Sequence, residues 1–285
     1  MKKIFIILLS TFLVLTLFAG CGTTTDDSSE DSSINSDNQE ISGNIVGGGS
    51  TSVKKILEAS GDEFMALNPD VVFEYNATGS SDGVKGANDG TYMFGCASRN
   101  IKEEEKASNM TEKIFAYDGI AVIVHPSNEA ITNITMEQIA QIYKGEITNW
   151  SELGGADATI VVVSREDGSG TRGAFEEIVD FEDELTADAT IAEGNGNVQS
   201  SVAGNENAIG YVSFTYIDDT VKPLTVEDVE ATTDNVLNET YQVSRPFVMV
   251  YHDENLSEAA TAFVDFLMSE EGQSIVEEKG GIPIS

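Results

Sequence analysis

Three observations make this sequence read as an α/β fold with two lobes. Apolar runs of strand length alternate with helix-like runs, which argues for largely parallel sheets flanked by helices. Two of the apolar runs are long enough to pass from one lobe into another. Three of the strand-like runs lead directly into a turn rich in Gly, Ser and Thr that opens a helix. At 285 residues and 40% hydrophobic content, the chain can bury a sizeable core.

Taken in order, Ile45-Val46 is the first strand. Val53, Ile56, Leu57 and Phe64 then fall at helical spacing and predict a helix over residues 53–67 that begins at Thr51 or Ser52. Residues 71–75 form a strand, followed by the turn Thr78-Gly79-Ser80-Ser81-Asp82-Gly83 and a second helix start. Further strands are expected at 119–125, 159–164, 208–214 and 247–251, with helices at 136–143 and 171–179 and one long helix over 256–279. The long runs 115–124 and 241–250 are the two crossings. The last helix then packs back on the first lobe, which makes that lobe discontinuous: residues 43–117 plus 246–285 form lobe 1 and residues 118–245 form lobe 2. Ligands of such sheets sit at the carboxyl ends of the strands, here in the cleft between lobes.

The chain begins differently. Met1-Lys2-Lys3 and an apolar stretch to Ala19 read as a secretory signal over residues 1–20. Leu17-Phe18-Ala19-Gly20-Cys21 resembles a bacterial lipobox, which makes Cys21 the acylated residue, although Phe18 stands where an aliphatic side chain is usual. The alternative is a transmembrane anchor, but an apolar run of ~16 residues falls short of the roughly 20 that a span needs. Residues 21–42 carry few aliphatic side chains and read as a disordered tether with a reach of roughly 25 Å. Cys96 is the one cysteine left, so no intramolecular disulfide is expected, and it reads as a buried apolar residue.

Net charge is −34, or −36 once residues 1–20 and their two lysines are removed. A balance so acidic excludes nucleic acid as a partner. It also removes long-range attraction for any anion, so an anion would have to be held by short, desolvated hydrogen bonds.

Such bonds are what the three turns offer. Gly47-Gly48-Gly49-Ser50-Thr51-Ser52, the turn at 78–83 and Arg165-Glu166-Asp167-Gly168-Ser169-Gly170-Thr171-Arg172 each follow a strand and open a helix. The first amides of a helix lack intrahelical partners, and the helix dipole adds about half a positive charge there. That end suits a phosphate or sulfate. Gly168 and Gly170 admit close backbone approach, Ser169 and Thr171 add hydroxyls, and Arg165 offers a planar fork for a tetrahedral oxyanion. Asp167 is expected to orient Arg165, Arg99 and Arg172 are secondary cations, and Trp150 reads as packing.

Together with Gly95-Cys96-Ala97-Ser98-Arg99, Asp118-Gly119-Ile120-Ala121-Val122, residues 143–150 and Ala208-Ile209-Gly210-Tyr211-Val212, these loops resemble the phosphate-binding proteins that feed high-affinity phosphate ABC transporters. The likeness spans residues 43–284. It implies a type II periplasmic-binding-protein fold and an extracytoplasmic lipoprotein on the outer face of the cytoplasmic membrane. It also implies a monomer that hands inorganic phosphate to membrane permease subunits, with no cofactor, metal or catalytic residue. Carried over by motif, the ligand contacts are Thr51, Ser52, Ser80, Arg165, Ser169, Gly170 and Thr171. Some members place at the position of Ser98 an aspartate that accepts the phosphate proton. Asp118, at the start of a crossing run, is the expected substitute, against the alternative that it caps a turn or pairs with Arg99. Other readings are a binder of sulfate, molybdate or tungstate, a surface interaction protein without transport, and a phosphatase using Ser169 or Thr171, for which no paired base is evident.

Overall fold

The computed structural model describes residues 40–284. The signal, the acylated Cys21 and nearly all of the tether lie outside the described residues. In chain order, the first elements are β1 (Gly43–Gly49), α1 (Lys54–Leu67), β2 (Val71–Asn76), α2 (Ser80–Asp89), β3 (Phe94–Ala97) and the long β4 (Thr111–Val124). Next come β5 (Asn133–Ile134), α3 (Met136–Lys144), β6 (Val161–Arg165), α4 (Gly170–Val179), β7 (Thr190–Ala192), α5 (Gly194–Ala203) and β8 (Ala208–Ser213). The chain ends with β9 (Lys222–Pro223), β10 (Thr225–Val226), α6 (Thr233–Leu237), β11 (Ser244–Tyr251), α7 (Glu258–Met268) and α8 (Glu270–Glu278).

The strands run β2-β1-β3-β11-β4-β8-β6-β7 across one continuous path, with β9 beside β4 and a separate two-stranded β5–β10 ribbon. Each side has the parallel character that the alternation predicts: β2, β1 and β3 are parallel on one side, β8, β6 and β7 on the other. In the middle lie two antiparallel strands. β4 pairs with β11 over Thr111–Gly119 and with β8 over Ile120–Val124, so one strand serves both sides. The second connection is the extended run before β11, where the Ile120 amide donates to the Val243 carbonyl at 2.8 Å.

Two aromatic cores flank this middle. The first contains Ile45, Phe64, Phe94, Phe115, Phe247 and Phe263, so it is built from both ends of the described chain. Phe64 and Phe263 meet edge to face at 5.6 Å. The second contains Ile120, Tyr143, Phe175, Phe181, Tyr211 and Tyr241, with Phe175 stacked on Tyr211 at 4.1 Å. Trp150 is buried in this second core and donates its indole N–H to the Asn207 carbonyl. Cys96 is a buried free thiol, and burial pushes it well above the ordinary thiol range.

One element differs from expectation. The long C-terminal helix is two helices, because Ser269 adopts an extended backbone and its hydroxyl caps α8 by accepting from the Gly272 amide at 3.2 Å. None of the helices among the described residues is long and apolar enough to cross a membrane.

Candidate anion-binding site

Helix starts converge where the two cores face each other. A single 3-10 turn, Thr51–Val53, leads into α1, with the Ser50 hydroxyl accepting from the Ser52 amide at 3.2 Å. α2 opens at Ser80 after Gly79, and α4 opens at Gly170 with Ser169 as its cap, the Ser169 hydroxyl accepting from the Arg172 amide. The fourth is α5, whose Gly194 amide donates to Glu166 and whose Asn195 is fully buried. Three of these starts were expected from sequence; α5 was not.

The expected residues do meet. Ser52 Oγ lies 3.0 Å from Thr171 Oγ1, and Arg165 Nη2 donates to Thr51 Oγ1 at 3.3 Å. Ser80 Oγ accepts from the Ser98 amide at 3.1 Å, while Ser98 Oγ accepts from Ser50 Oγ at 2.8 Å. Gly170 passes so close that a Cβ there would stand 2.2 Å from Ser80 Oγ and 2.8 Å from Ser98 Oγ, so only glycine lets α4 approach α2. Gly168 has φ +81°, and its carbonyl accepts from the Ser81 amide across the same gap.

Two arginines organise the site. Arg165, 1% exposed, makes a fork with Glu166: Nε and Nη2 donate to its two carboxylate oxygens at 2.8 and 2.7 Å. Burial alone would raise the Glu166 carboxyl, but the Arg165 bonds and charge hold it below the ordinary value. The part expected of Asp167 therefore falls to Glu166, the adjacent residue that can close a bidentate ring. Asp167 instead pairs with Arg172 at 2.7 Å, and Arg172 also holds Glu176. Arg99 is likewise engaged elsewhere, with Glu105 at 2.7 Å and with Ser81.

The second arginine is Arg245, on β11, which sequence reasoning missed. Its Nε and Nη2 donate to Asp118 Oδ2 at 3.2 and 2.8 Å, and Nη2 also donates to Ser52 Oγ at 3.1 Å. Asp118 is fully buried, and its other oxygen accepts from Ser213 Oγ and the Phe214 amide. Burial pushes the Asp118 carboxyl up, opposed first by the Arg245 charge and bonds. Burial also pushes the Arg245 guanidinium down, and the like charge of Arg165 acts in the same direction. A guanidinium keeps its proton in proteins, so this is a buried ion pair.

In both arginines the third nitrogen, Nη1, is buried and has no hydrogen-bond partner. An unpaired buried donor costs about 1–3 kcal/mol, more when charged. Each belongs to a guanidinium whose Nη2 already donates to a hydroxyl of the first loop, Thr51 or Ser52, and an oxyanion is the kind of group that would satisfy it. Asn195 joins the two sides: Nδ2 donates to Thr51 Oγ1 and Ser52 Oγ, both at 3.0 Å, and Oδ1 accepts from the Ser213 amide. A charged residue inside the apolar run 241–250 was the signal that could have found Arg245. The Gly194-Asn195-Gly196 turn could have revealed α5, but the three residues of β7 before it are too short to read as a strand.

A family model described as the PBP superfamily domain matches residues 34–271. The phosphate-binding protein PstS of Borreliella burgdorferi is 31% identical over 88% of this chain and 92% of its own length. PstS of Bacillus subtilis is 29% identical over 100% of this chain and 94% of its own. Among solved structures, a Clostridium perfringens chain described as a phosphate ABC transporter substrate-binding protein with bound phosphate is 52% identical. It superposes with a TM-score of 0.84, over 85% of this chain and all of the other. An ABC-type phosphate transport receptor from Vibrio cholerae follows at 32% identity and TM-score 0.72, again over 85% and 100%.

Proposed function

This chain belongs to the PBP superfamily, among the phosphate-binding substrate-binding proteins of ABC transporters, and from that premise we propose how it holds its anion. It captures inorganic phosphate between two lobes, 43–117 plus 246–285 and 118–245. The observation that carries the reading is the pair of buried, unpartnered Nη1 donors on Arg165 and Arg245. They bind two phosphate oxygens, while the hydroxyls of Thr51, Ser80, Ser98, Ser169 and Thr171 and the amides at Gly170 and the other helix starts donate to the rest, and Ser52, whose proton goes to Thr171 Oγ1, holds that hydroxyl in place. Asp118 acts through Arg245, whose guanidinium it orients.

Closure follows from the placement of the donors. Thr51, Ser52, Ser80 and Ser98 sit on lobe 1, whereas Arg165, Thr171 and Arg245 sit on lobe 2. An anion bound to both sets favours the closed arrangement by its differential contacts, with the hinge in β4 and in the run before β11. Cys21, outside the described residues, carries the lipid, and residues 21–42 tether the monomer to the outer face of the cytoplasmic membrane, where it meets permease subunits. No catalytic step is assigned. Calorimetry with anion-stripped protein tests the site: 1:1 phosphate binding is expected, weakened by about 30-fold or more in Arg165→Ala. Binding retained at full strength in that variant would refute the assignment.

A further inference from the structure

Arg99 is 6% exposed and is bound on its own side by a carboxylate. Its Nη1 and Nη2 fork onto the two oxygens of Glu105, both at 2.7 Å. Burial alone would raise the Glu105 carboxyl, but the Arg99 bonds and charge hold it below the ordinary value. The loop that carries Glu105 is tied in turn to α2, because Asn88 Nδ2 donates to the Glu105 carbonyl at 2.9 Å. A planar guanidinium fixed by a bidentate fork has little freedom left. From that fixed position Nη2 also donates to Ser81 Oγ at 3.0 Å.

Ser81 is the second residue of α2, and its amide is one of the first-turn donors that have no intrahelical partner. That amide donates across the gap to the Gly168 carbonyl at 3.2 Å. The backbone around this bond carries no side chains: a Cβ on Gly79 would stand 3.5 Å from the Gly168 oxygen, and one on Gly168 would stand 3.5 Å from Ser81 Cβ. α4 passes Arg99 itself at Gly173, where a Cβ would stand 3.5 Å from Arg99 Cδ. Arg99 thus reaches the facing side twice, through Ser81 and through its own stem. Neither route uses a residue assigned above to the anion.

Resting on the two-lobed phosphate reading above, we propose that Arg99 is a positioning residue for capture: by holding Ser81 it keeps the start of α2 where the Ser81 amide closes on the Gly168 carbonyl, and this clasp slows the release of bound phosphate. Ser81 and Arg99 belong to the first lobe, Gly168 and Gly173 to the second, so the clasp forms only when the lobes are together. A bond made in the closed state alone favours that state whatever the anion contributes. Its loss speeds opening, and the effect falls on the dissociation rate rather than on the encounter. One neutral hydrogen bond of this kind is worth about threefold to tenfold.

The test loads the protein with radiolabelled phosphate, chases it with excess unlabelled phosphate to give the dissociation rate, and takes Kd from calorimetry, so that the association rate follows from the two. Arg99→Met, Ser81→Ala, Ser81→Thr and the double variant Arg99→Met/Ser81→Ala are compared with the wild type. Arg99→Met and Ser81→Ala should each raise the dissociation rate by about threefold to tenfold and change the association rate by less than about twofold. Ser81→Thr, which keeps the hydroxyl, should release phosphate at the wild-type rate. The double variant should be no faster than Arg99→Met alone, because both changes act through one bond. Wild-type release from Ser81→Ala, or effects that multiply in the double variant, would overturn the clasp and leave the phosphate reading standing. A wild type that binds no phosphate would overturn both. Ser81→Ala against Ser81→Thr carries the test by itself if Arg99→Met does not fold.

Discussion

The two arginines of the site each engage a carboxylate through Nε and Nη2, Arg165 on two oxygens and Arg245 on one, and their surroundings differ. Arg165 takes its carboxylate from the next residue, Glu166, which is 22% exposed. Arg245 takes its carboxylate from Asp118, 127 residues away and fully buried. The first pair is a local feature of a strand end and can be relaxed by water. The second is tied to β4 and β11, the two strands that join the cores, so it belongs to the frame as much as to the site. The difference teaches that one guanidinium is held by its own loop, while the other also fixes where the two halves meet.

Removing each carboxylate in turn should break this comparison most sharply. Asp118→Ala leaves a buried guanidinium uncompensated and should lower stability by about 3–5 kcal/mol. Glu166→Ala, where the lost carboxylate is 22% exposed and water can take its place beside the buried Arg165, should cost less, about 1–3 kcal/mol. Urea unfolding of both variants, without anion, reads the contrast directly; equal losses would remove the structural half of the argument. The arginines themselves should be alike in binding. Arg165→Ala and Arg245→Met should each weaken phosphate by about 30-fold to 1,000-fold, the loss of one charge-assisted donor pair. A normal Kd for Arg245→Met would reduce that residue to a structural role.

Legibility in the sequence divides along the same line. The Arg165 turn is contiguous, and its strand, glycines and hydroxyls announce a helix start within eight residues. The three helix starts, the crossing strands and the discontinuous first core could be read because each rests on a local pattern or on the order of apolar runs. Arg245 and Asn195 could not, since their meaning depends on partners brought close by folding: Asp118 and Ser52 for one, Thr51, Ser52 and Ser213 for the other. The surroundings of Asp118 were hidden for the same reason. The break between α7 and α8 was missed because Ser269 interrupts an otherwise helical pattern with a cap, which periodicity alone does not register.

Smaller effects sharpen the picture of how the halves are joined. Asn195→Ala removes two donors to the first loop and orphans the Ser213 amide, and should weaken phosphate by roughly tenfold, or about 1–2 kcal/mol. Tyr216→Phe removes one bond, from its hydroxyl to the Thr51 carbonyl, while Lys55 still donates to the Thr215 carbonyl nearby. Its effect on Kd should be about fivefold or less. The smallest is a matter of pH. The Glu166 carboxyl lies below its ordinary value in the fold, so its contribution is complete above the unfolded value of about 4.3 and fades as pH falls through the folded one. Glu166→Gln should therefore flatten the loss of stability in that acid window and leave the slope at neutral pH unchanged, as thermal melts from pH 3 to pH 7 would register.

The proposed site requires that the two unpartnered nitrogens, Arg165 Nη1 and Arg245 Nη1, share one anion. A crystal structure with arsenate, whose arsenic can be placed by anomalous scattering, tests it directly. The account predicts one arsenic peak with oxygens within hydrogen-bond distance of both nitrogens and of the hydroxyls of Ser80 and Thr171. A peak that leaves either guanidinium nitrogen without a contact would contradict it.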